Sequence, residues 1–349
     1  MKDFWKELNI LINKKSYPFT AIIGQEKMKN ALIYNIINPS IGGLLIRGEK
    51  GTAKSTAVRA LADLLPLRNQ AEGCLFQCDP EDDMNYCDDC RRKREEGNIK
   101  VIEEKMKVID LPINATEDRV VGTLDIEYAI TEGKRRIEPG VLAYANRNIL
   151  YVDEVNLLDD HIVDLLLDAA AMGVNTIERE GISYVHPSKF IMVGTMNPEE
   201  GDLRPQLLDR FGLMVDIVGE ENIENRVNIV KRRMAYEKNE EIFCQSYEKQ
   251  QEALKEKIMK AKESLSKVFI SDEIIELAAK LSIELGVDGH RADITMIKTA
   301  TTKAAFEGRI NIEKEDLVYA AELALPHRMR RKPFEESKLS FERIREIVG

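Results

Sequence analysis

A short loop between an apolar segment and an amphipathic segment constrains the fold of this chain more than any other feature. It follows the apolar run Leu44–Ile46 and reads Gly48-Glu49-Lys50-Gly51-Thr52-Ala53-Lys54-Ser55. From Thr56 to about Leu65, apolar residues recur at helical spacing. Small residues let the loop turn tightly, so that N–H groups at the helix N-terminus point toward phosphate oxygens. The pattern predicts a phosphate-binding loop between a strand and a helix.

Two side chains of this loop supply the chemistry that nucleotide binding requires. The Lys54 ammonium would neutralise charge on the β- and γ-phosphates, and the Ser55 hydroxyl would ligate Mg²⁺. The usual motif has Gly at the position of Ala53, and Ala is the smallest departure from it. An ordinary glycine-containing turn is the alternative, but strand, loop, Lys-Ser pair and helix all favour a nucleotide.

A second apolar segment, residues 148–152, ends in the carboxylates Asp153 and Glu154. Buried parallel strands are continuous apolar runs, and α/β sheets bind ligands at the carboxyl ends of their strands. Asp153 would hold Mg²⁺ directly or through water, and Glu154 would orient the water that attacks the γ-phosphate. Without the phosphate loop, a strand that ends in a polar turn would explain the pattern equally well.

Two further segments complete a candidate ATP site. The apolar run 190–196 ends at Asn197, whose amide could sense the γ-phosphate and position water. The segment 203–212 carries Arg204 and Arg210, and arginine is suited to stabilising the charge of phosphoryl transfer. Outside this context, either arginine would be interpreted as a solvated surface charge.

Strand-like and helix-like segments alternate through the first two-thirds of the chain. We expect strands at 43–47, 107–111, 148–153, 189–195 and 213–218, and a helix from an N-cap at Asp159 to Gly173. Such alternation predicts an α/β fold with a parallel sheet covered by helices. The predicted nucleotide-binding domain spans residues 1–220.

Beyond residue 220 the strand patterns stop. Residues 221–267 are charged and helical in pattern, which predicts a helical linker. Residues 268–349 predict an all-helical domain, with helices that start at Ser271 or Asp272, at Asp288 and at Asn311.

Composition and charge argue against several classes of protein. The net charge of −10 argues against a general nucleic-acid binder. No apolar run approaches the ~18 residues of a membrane span, and charges near the N-terminus occupy the place of a signal-peptide core. We therefore expect a cytoplasmic protein with no membrane partner. The four histidines are scattered and show no metal-ligand spacing.

From Ile22 to the C-terminus, the chain resembles the AAA+ ATPases, and more closely the ATPase I subunits of magnesium chelatases and their relatives. The motifs that carry the resemblance are 48–56, 121–125, 138–142, 151–158, 193–201, 203–212, 289–293 and 324–328. The resemblance implies an AAA+ sheet with helices on both faces, followed by a helical lid, and a ring of subunits that is commonly a hexamer.

The resemblance also implies roles for individual residues. Arg210 resembles an arginine finger that reaches the γ-phosphate held by a neighbouring subunit, and Asp209 would lie at that interface. Arg291 resembles the second sensor, which ties the position of the lid to the nucleotide state. Two insertions are expected, one near 119–138 and one as a hairpin at about 177–188.

The implied function is that of a motor. In magnesium chelatase, the I subunit hydrolyses ATP together with a D subunit, and a large H subunit inserts Mg²⁺ into protoporphyrin IX. An ATPase for a cobaltochelatase or another metalloenzyme is an alternative that the motifs leave open. A nucleic-acid motor is a weaker alternative, because its hairpin needs basic residues and this one has Arg179 between Glu178 and Glu180.

Four of the five cysteines form a cluster in the sequence, at about 72–98, which the motor motifs do not explain. They are Cys74, Cys78, Cys87 and Cys90, and the intervening residues are mostly polar or acidic. In a reducing compartment such a cluster favours metal binding over disulfides, and four thiolates suit Zn²⁺ or an iron–sulfur cluster. The alternative is a solvated loop with free or redox-active thiols.

Overall fold

The computed structural model describes residues 16–49, 51–124, 137–179, 182–329 and 341–348. These residues contain eleven β-strands. Five of them form one parallel sheet, and the other six pair as three antiparallel ribbons. In chain order the described strands are β1 (Leu44–Gly48), β2 (Arg68–Ala71), β3 (Val101–Glu104), β4 (Val108–Leu111), β5 (Gly122–Leu124), β6 (Ile137–Pro139), β7 (Ile149–Val152), β8 (Val174–Arg179), β9 (Ile182–Pro187), β10 (Ile191–Met196) and β11 (Leu213–Ile217).

The parallel sheet has the order β11-β1-β10-β7-β4 and contains the five predicted strands. Every residue of β7 and β10 is buried, as expected for strands that are covered on both faces. All five strands run in the same direction, so their carboxyl ends lie along one edge. The phosphate loop follows β1 at this edge, and the acidic pair follows β7.

Helices cover both faces of the sheet. In chain order the described α-helices are α1 (Glu26–Ile37), α2 (Lys54–Leu64), α3 (Asp88–Glu95), α4 (Glu117–Val121), α5 (Val141–Ala145), α6 (Asp160–Met172), α7 (Pro205–Arg210), α8 (Ile223–Lys238), α9 (Glu240–Ser264), α10 (Asp272–Glu284), α11 (Arg291–Phe306), α12 (Lys314–Ala324) and α13 (Phe341–Val348).

Alternate residues of β1 divide the core into two layers. Leu44 and Ile46 pack with α1 and α2, whereas Leu45 packs on the opposite face with α5, α6 and α7. The period-two alternation of a strand places these side chains on opposite faces. The predicted α/β fold, a parallel sheet with helices on both faces, is thus confirmed.

The C-terminal helices join the sheet domain through one continuous core. Apolar residues of α10, α11, α12 and α13 belong to the same buried cluster as α1, α2 and one face of the sheet. Helix α10 begins at Asp272, within the predicted start at Ser271 or Asp272. Ser271 caps it, and the Ser271 hydroxyl accepts from the backbone N–H of Ile274 at 3.4 Å.

The next two helices begin three residues later than the sequence predicted, at Arg291 and Lys314. Gly289 has a φ of +72°, which is not a helical conformation, so α11 begins after it. A capping box between Glu313 and Asp316 sets the start of α12.

The expected hairpin insertion is the β8–β9 ribbon, whose tip at 180–181 lies outside the described residues. The expected insertion near 119–138 includes α4, β5 and the first residues of β6, with 125–136 outside the described residues. Within the part of the chain that the structure describes, none of the helices has the length and apolar character to cross a bilayer.

Candidate nucleotide site

Backbone geometry explains the small residues of the phosphate loop. A Cβ at Gly48 would collide with the backbone carbonyl of Ile217 on the neighbouring strand. Gly51 has a φ of +83°, in the left-handed region that favours glycine. Ala53, the residue before α2, also lies there, with φ +60° and ψ +22°. The loop therefore keeps its shape with Ala at the usual glycine position, at the cost of local strain. Lys50 lies outside the described residues.

Lys54 is held over the loop. Its Nζ donates to the carbonyl oxygens of Gly48 at 2.6 Å and Glu49 at 3.2 Å. The Thr52 hydroxyl donates to the same Glu49 carbonyl at 2.9 Å and closes the turn. Ser55 follows Lys54 in the first turn of α2, where the helix N-terminus favours an anionic ligand.

A threonine that sequence reasoning did not select, Thr195 of β10, links β10 to the acidic pair that follows β7. The Thr195 hydroxyl donates to Asp153 Oδ1 at 2.6 Å and accepts from the backbone N–H of Glu154 at 3.1 Å. Burial, and next the Asp153 carboxylate, raise the pKa of Tyr151. Its hydroxyl therefore stays protonated and donates to the same Oδ1 at 3.1 Å. These bonds fix the Asp153 carboxylate at the end of β7.

A polar cleft of about 520 Å³ brings the predicted groups together. Strand β10 lies between β1 and β7, so Asn197 follows it between the phosphate loop and the acidic pair. The Asn197 side chain is buried, and its Oδ1 accepts from the backbone N–H of Glu199 at 3.3 Å. The residues that line the cleft are Gly51, Thr52, Ala53, Lys54, Ser55, Thr56, Tyr151, Asp153, Glu154, Thr195, Met196 and Asn197.

A second, more apolar pocket of about 480 Å³ adjoins the polar cleft. Gly51, Thr52, Ala53 and Thr56 line both. Ile22 and Ile23 line one side, and Ile229 and Val230 of α8 line another. Such walls suit a flat apolar group such as a nucleotide base. Sequence reasoning missed this pocket, because its walls are about two hundred residues apart in the chain.

Arg210 lies away from the cleft. It is the last residue of α7, and its guanidinium pairs with Asp164 at 2.9 Å and Asp168 at 3.0 Å, both on α6. The side chain is one-third exposed, and it is absent from the residues that line the cleft of its own subunit.

The register of β11 against β1 indicates how Arg210 and the phosphate loop are separated along the strands. Leu213, three residues after Arg210, pairs with Leu44 at the amino-terminal end of β1, whereas Gly48 lies at the carboxyl end. Four residue steps of about 3.3 Å place these two ends roughly 13 Å apart. Arg210 therefore precedes the amino-terminal end of this strand pair, whereas the phosphate loop follows the carboxyl end of β1.

Arg291 also lies outside the cleft that its own chain forms. Its Nη1 donates to Asp209 Oδ2 at 2.6 Å, and the side chain is half exposed. The other oxygen of Asp209 accepts from Arg328 Nε at 3.2 Å. Arg291 therefore lies beside Asp209, the residue that precedes Arg210 at the end of α7.

Arg328 fastens the lid to the sheet domain. Its side chain is 1% exposed and donates to the carbonyl oxygens of Gly212 at 2.9 Å and Phe211 at 2.5 Å. Burial lowers the pKa of Arg328 to about 10, which still leaves it charged at neutral pH. Burial also lowers the pKa of His327 to about 3, so His327 is neutral, and its Nε2 donates to Phe211 O at 2.9 Å.

The four clustered cysteines meet at one point, although sixteen residue steps separate the first from the last. All four are buried, and their Sγ atoms lie within 4.8 Å of one another. They lie in the segment between β2 and β3 and at the start of α3, apart from the residues that line the nucleotide cleft.

The phosphate loop, the acidic strand, the sensor strand and the helical lid define an AAA+ P-loop ATPase. Two family models match the chain: the AAA lid domain over residues 275–347, and the magnesium chelatase subunit ChlI over residues 124–221. The magnesium-chelatase subunit ChlI homolog of Methanocaldococcus jannaschii is 60% identical over 340 residues, which are 97% of this chain and 93% of that protein. The chain therefore belongs to the magnesium-chelatase subunit ChlI family.

Further relatives agree. The magnesium-chelatase subunit ChlI of Cyanophora paradoxa is 50% identical over 93% of this chain and 94% of its own length. A solved structure of the complex between subunits BchI and BchD of magnesium chelatase contains a chain that is 42% identical, with a TM-score of 0.55, and the match covers 96% of this chain and 99% of that one. The chain is accordingly an ATPase subunit of the chelatase type, which binds ATP and Mg²⁺.

Proposed function

We propose that this protein is the motor subunit of a magnesium chelatase, whose ATP hydrolysis drives a separate large subunit to insert Mg²⁺ into protoporphyrin IX. The observation that carries the proposal is similarity to magnesium-chelatase ChlI subunits over more than nine-tenths of the chain, combined with a cleft that gathers the phosphate loop, the acidic pair and Asn197. Neither the polar cleft nor the adjoining apolar pocket is lined by a histidine or a cysteine that could serve a metal–porphyrin centre beside the nucleotide.

One subunit would supply the groups that hold the nucleotide and the water. The N-terminus of α2 and Lys54 bind the phosphates, and the adjoining apolar pocket takes the base. Ser55 and Asp153 provide hard oxygen ligands for Mg²⁺, which when bound neutralises charge on the β- and γ-phosphates. Glu154 and Asn197 orient the attacking water. Its oxygen bonds to the γ-phosphorus as the bond to the bridging oxygen breaks and ADP leaves.

A neighbouring subunit would supply the arginines. Arg210 is not among the residues that line the cleft of its own subunit, and its ion pairs within the described residues are with two half-exposed carboxylates. We assign it as the arginine finger that acts on the nucleotide of the next subunit. Arg291 bonds to Asp209, the neighbour of Arg210 in sequence, so we place the second sensor on the same face.

This division of groups requires an assembly. A closed ring repeats one heterologous interface at every subunit, so each cleft meets the arginine face of its neighbour. We propose a homo-oligomeric ring, a hexamer as in many AAA+ proteins, that works with a D-type and an H-type chelatase subunit. The similarity to the chain in the BchI–BchD complex supports the D-type partner.

Reconstitution tests the proposal. The protein is combined with D-type and H-type chelatase subunits, protoporphyrin IX, Mg²⁺ and ATP, and formation of magnesium protoporphyrin is followed by fluorescence. We expect product only when this protein and ATP are both present. Product with Co²⁺ and a cobaltochelatase large subunit, but none with Mg²⁺, would contradict the proposed client and favour the cobaltochelatase alternative.

Glu154→Gln is the matched control for the motor. The amide keeps the size of the side chain but cannot polarise water as a carboxylate does. Removal of a general base typically costs about 10²–10⁴-fold in rate. ATP binding should persist while hydrolysis and metal insertion fall together. Wild-type turnover by Glu154→Gln would show that this strand is assigned wrongly.

A further inference from the structure

The four clustered sulfurs have the spacing of ligands around one metal ion. The Sγ atoms of Cys74 and Cys87 lie 3.7 Å apart, and all four lie within 4.8 Å of one another. A tetrahedron with Zn–S distances of about 2.3 Å has sulfur–sulfur edges of roughly 3.8 Å. The cluster therefore has room for one tetrahedral ion.

The local backbone supports deprotonated sulfurs. Cys87 caps the N-terminus of α3 and Cys90 lies in its first turn, where the helix dipole favours thiolates. The backbone N–H of Cys87 donates to Cys78 Sγ at 3.3 Å. None of the cysteines of the described chain forms a disulfide.

The segment around the cysteines has little else to hold it together. Its buried cluster contains, besides the four cysteines, the side chains of Ala71, Phe76, Tyr86 and Ala143. Between the cysteines the chain is mostly irregular, with one short 3₁₀ turn at Asp83–Asn85. Small units that lack an apolar core commonly depend on a structural metal.

We propose that Cys74, Cys78, Cys87 and Cys90 bind one Zn²⁺ as four thiolates, and that this ion holds in place the segment that supports the β8–β9 hairpin. A [2Fe–2S] or [4Fe–4S] cluster distributes its cysteines over several iron atoms, so its sulfurs lie farther apart than those around a single ion. The compact spacing therefore favours zinc. The site is closed and buried, as structural zinc sites are.

Aromatic contacts link the cysteine segment to the hairpin. Phe76, between Cys74 and Cys78, stacks on His186 of β9 with ring centroids 4.5 Å apart. Its ring also lies 6.0 Å from that of Tyr184 on the same strand. His186 is buried and contacts Asn175 of β8 at 2.9 Å, so the stacking reaches both strands of the hairpin.

Polar contacts fix the other side of the segment to the sheet domain. Asn146 Nδ2 donates to the Phe76 carbonyl at 2.5 Å, and Gln77 Nε2 donates to the Tyr144 carbonyl at 2.8 Å. Arg147 pairs with Asp79 at 2.6 Å. The metal thus lies between the residues before β7 and the inserted hairpin, and it sets the position of Phe76.

The direct test is the metal content of the full-length protein, produced without an affinity tag that binds metal and purified under anaerobic conditions without added metal. Zinc, iron and acid-labile sulfide are measured per chain. We expect about one zinc and neither iron nor sulfide. Iron with sulfide, iron alone, or no metal with four thiols that react freely with an alkylating reagent would each overturn the proposal. The metal content per chain does not depend on whether the ATPase assignment or the proposed magnesium-chelatase client is correct.

Two variants locate the metal. Cys90→Ser should lower zinc to about one-tenth of an equivalent per chain or less, because a hydroxyl is a poor substitute for thiolate. Cys244→Ser is the matched control, since Cys244 lies outside the cluster and its Sγ is near the Ser16 carbonyl at 3.7 Å. It should keep about one zinc. Equal zinc in both variants would place the metal elsewhere.

Hydrogen exchange of the wild-type protein tests the link to the hairpin without relying on a variant that folds. Removal of zinc by a chelator should speed amide exchange in β9 by at least about tenfold, while β11 in the parallel sheet stays protected. Unchanged exchange in β9 after complete loss of zinc would refute the supporting role. Faster exchange throughout the chain would refute a local role as well.

Discussion

Replacement of Arg210 by alanine tests whether one subunit completes the active site of the next. Arg210 precedes the amino-terminal end of β11, which pairs with the start of β1, whereas the phosphate loop follows the other end of β1, roughly 13 Å away along the strand. An arginine finger supplied in trans is worth ~10³–10⁵ in rate, so Arg210→Ala should lower hydrolysis by about that factor. The ion pairs that Arg210 makes are half exposed, and such pairs contribute about 0–1 kcal/mol, so folding and nucleotide affinity should change little.

A mixing experiment separates action in trans from action in cis. Arg210→Ala keeps an intact phosphate loop, and Lys54→Ala keeps an intact arginine. In a random equal mixture, about one quarter of the interfaces pair a good loop with a good arginine. ATPase activity should therefore recover to about one quarter of the wild-type value. If Arg210 acted in cis, neither variant could supply a complete site and the mixture would stay inactive.

Phosphate release is measured at constant total protein while the fraction of each variant is varied. The trans arrangement predicts that activity follows the product of the two fractions and peaks at equal amounts. Arg345→Ala is the control, because the ion pair of Arg345 with Glu315, at 3.8 Å on the lid, is exposed to solvent. Full activity of Arg210→Ala alone, or an inactive mixture that still assembles by mass photometry, would refute the reasoning.

Three further substitutions probe the loop and the lid. Ala53→Gly should leave the thermal midpoint unchanged or raise it, because relief of about 1–2 kcal/mol of left-handed strain offsets the entropy that glycine usually costs. Asp316 is fully buried and bonds Arg309 and Lys303, so Asp316→Asn should lower the free energy of unfolding in urea by about 3–5 kcal/mol. His327 has a folded pKa of about 3, below its unfolded value, so its stabilising contribution is complete above about pH 6.5 and is lost as the pH falls toward 3. His327→Gln keeps a donor for Phe211 and should flatten this acid loss of stability, which amounts to at most about 1.4 kcal/mol per pH unit.

The sheet and the nucleotide cleft could be predicted because their signals are local in the sequence. Each parallel strand is predominantly apolar, and each of the five predicted strands matches the structure to within two residues. The polar groups follow strands, so their location at the carboxyl edge follows from the direction of the chain. Thr195 was missed because an inward-facing threonine on a strand gives no sequence signal apart from its neighbours.

Features that depend on distant contacts could not be predicted. The order of the sheet places β10 between β1 and β7, although β7 precedes β10 in the chain. The ribbon of β2 and β3 is polar in sequence and forms only by pairing across the cysteine segment. The apolar pocket beside the phosphate loop joins Ile22 to α8, and the stacking of Phe76 on His186 joins two insertions. In each case the contact, and not the local pattern, creates the feature.

Asp209 connects the lid to Arg210, the arginine that we propose acts on the next subunit. One carboxylate oxygen binds Arg291 at the start of α11, and the other binds Arg328 after α12. Arg328 also binds the carbonyls of Phe211 and Gly212, directly after Arg210. If the lid moves, one of two things must happen. Either the charge-assisted hydrogen bonds of Arg291 and Arg328, about 1.5–3 kcal/mol each, break, or the end of α7 moves with the lid. In the proposed ring, the second route would move Arg210 relative to the cleft of its neighbour, so a lid displacement in one subunit would change catalysis in another without any contact between the lid and that second nucleotide.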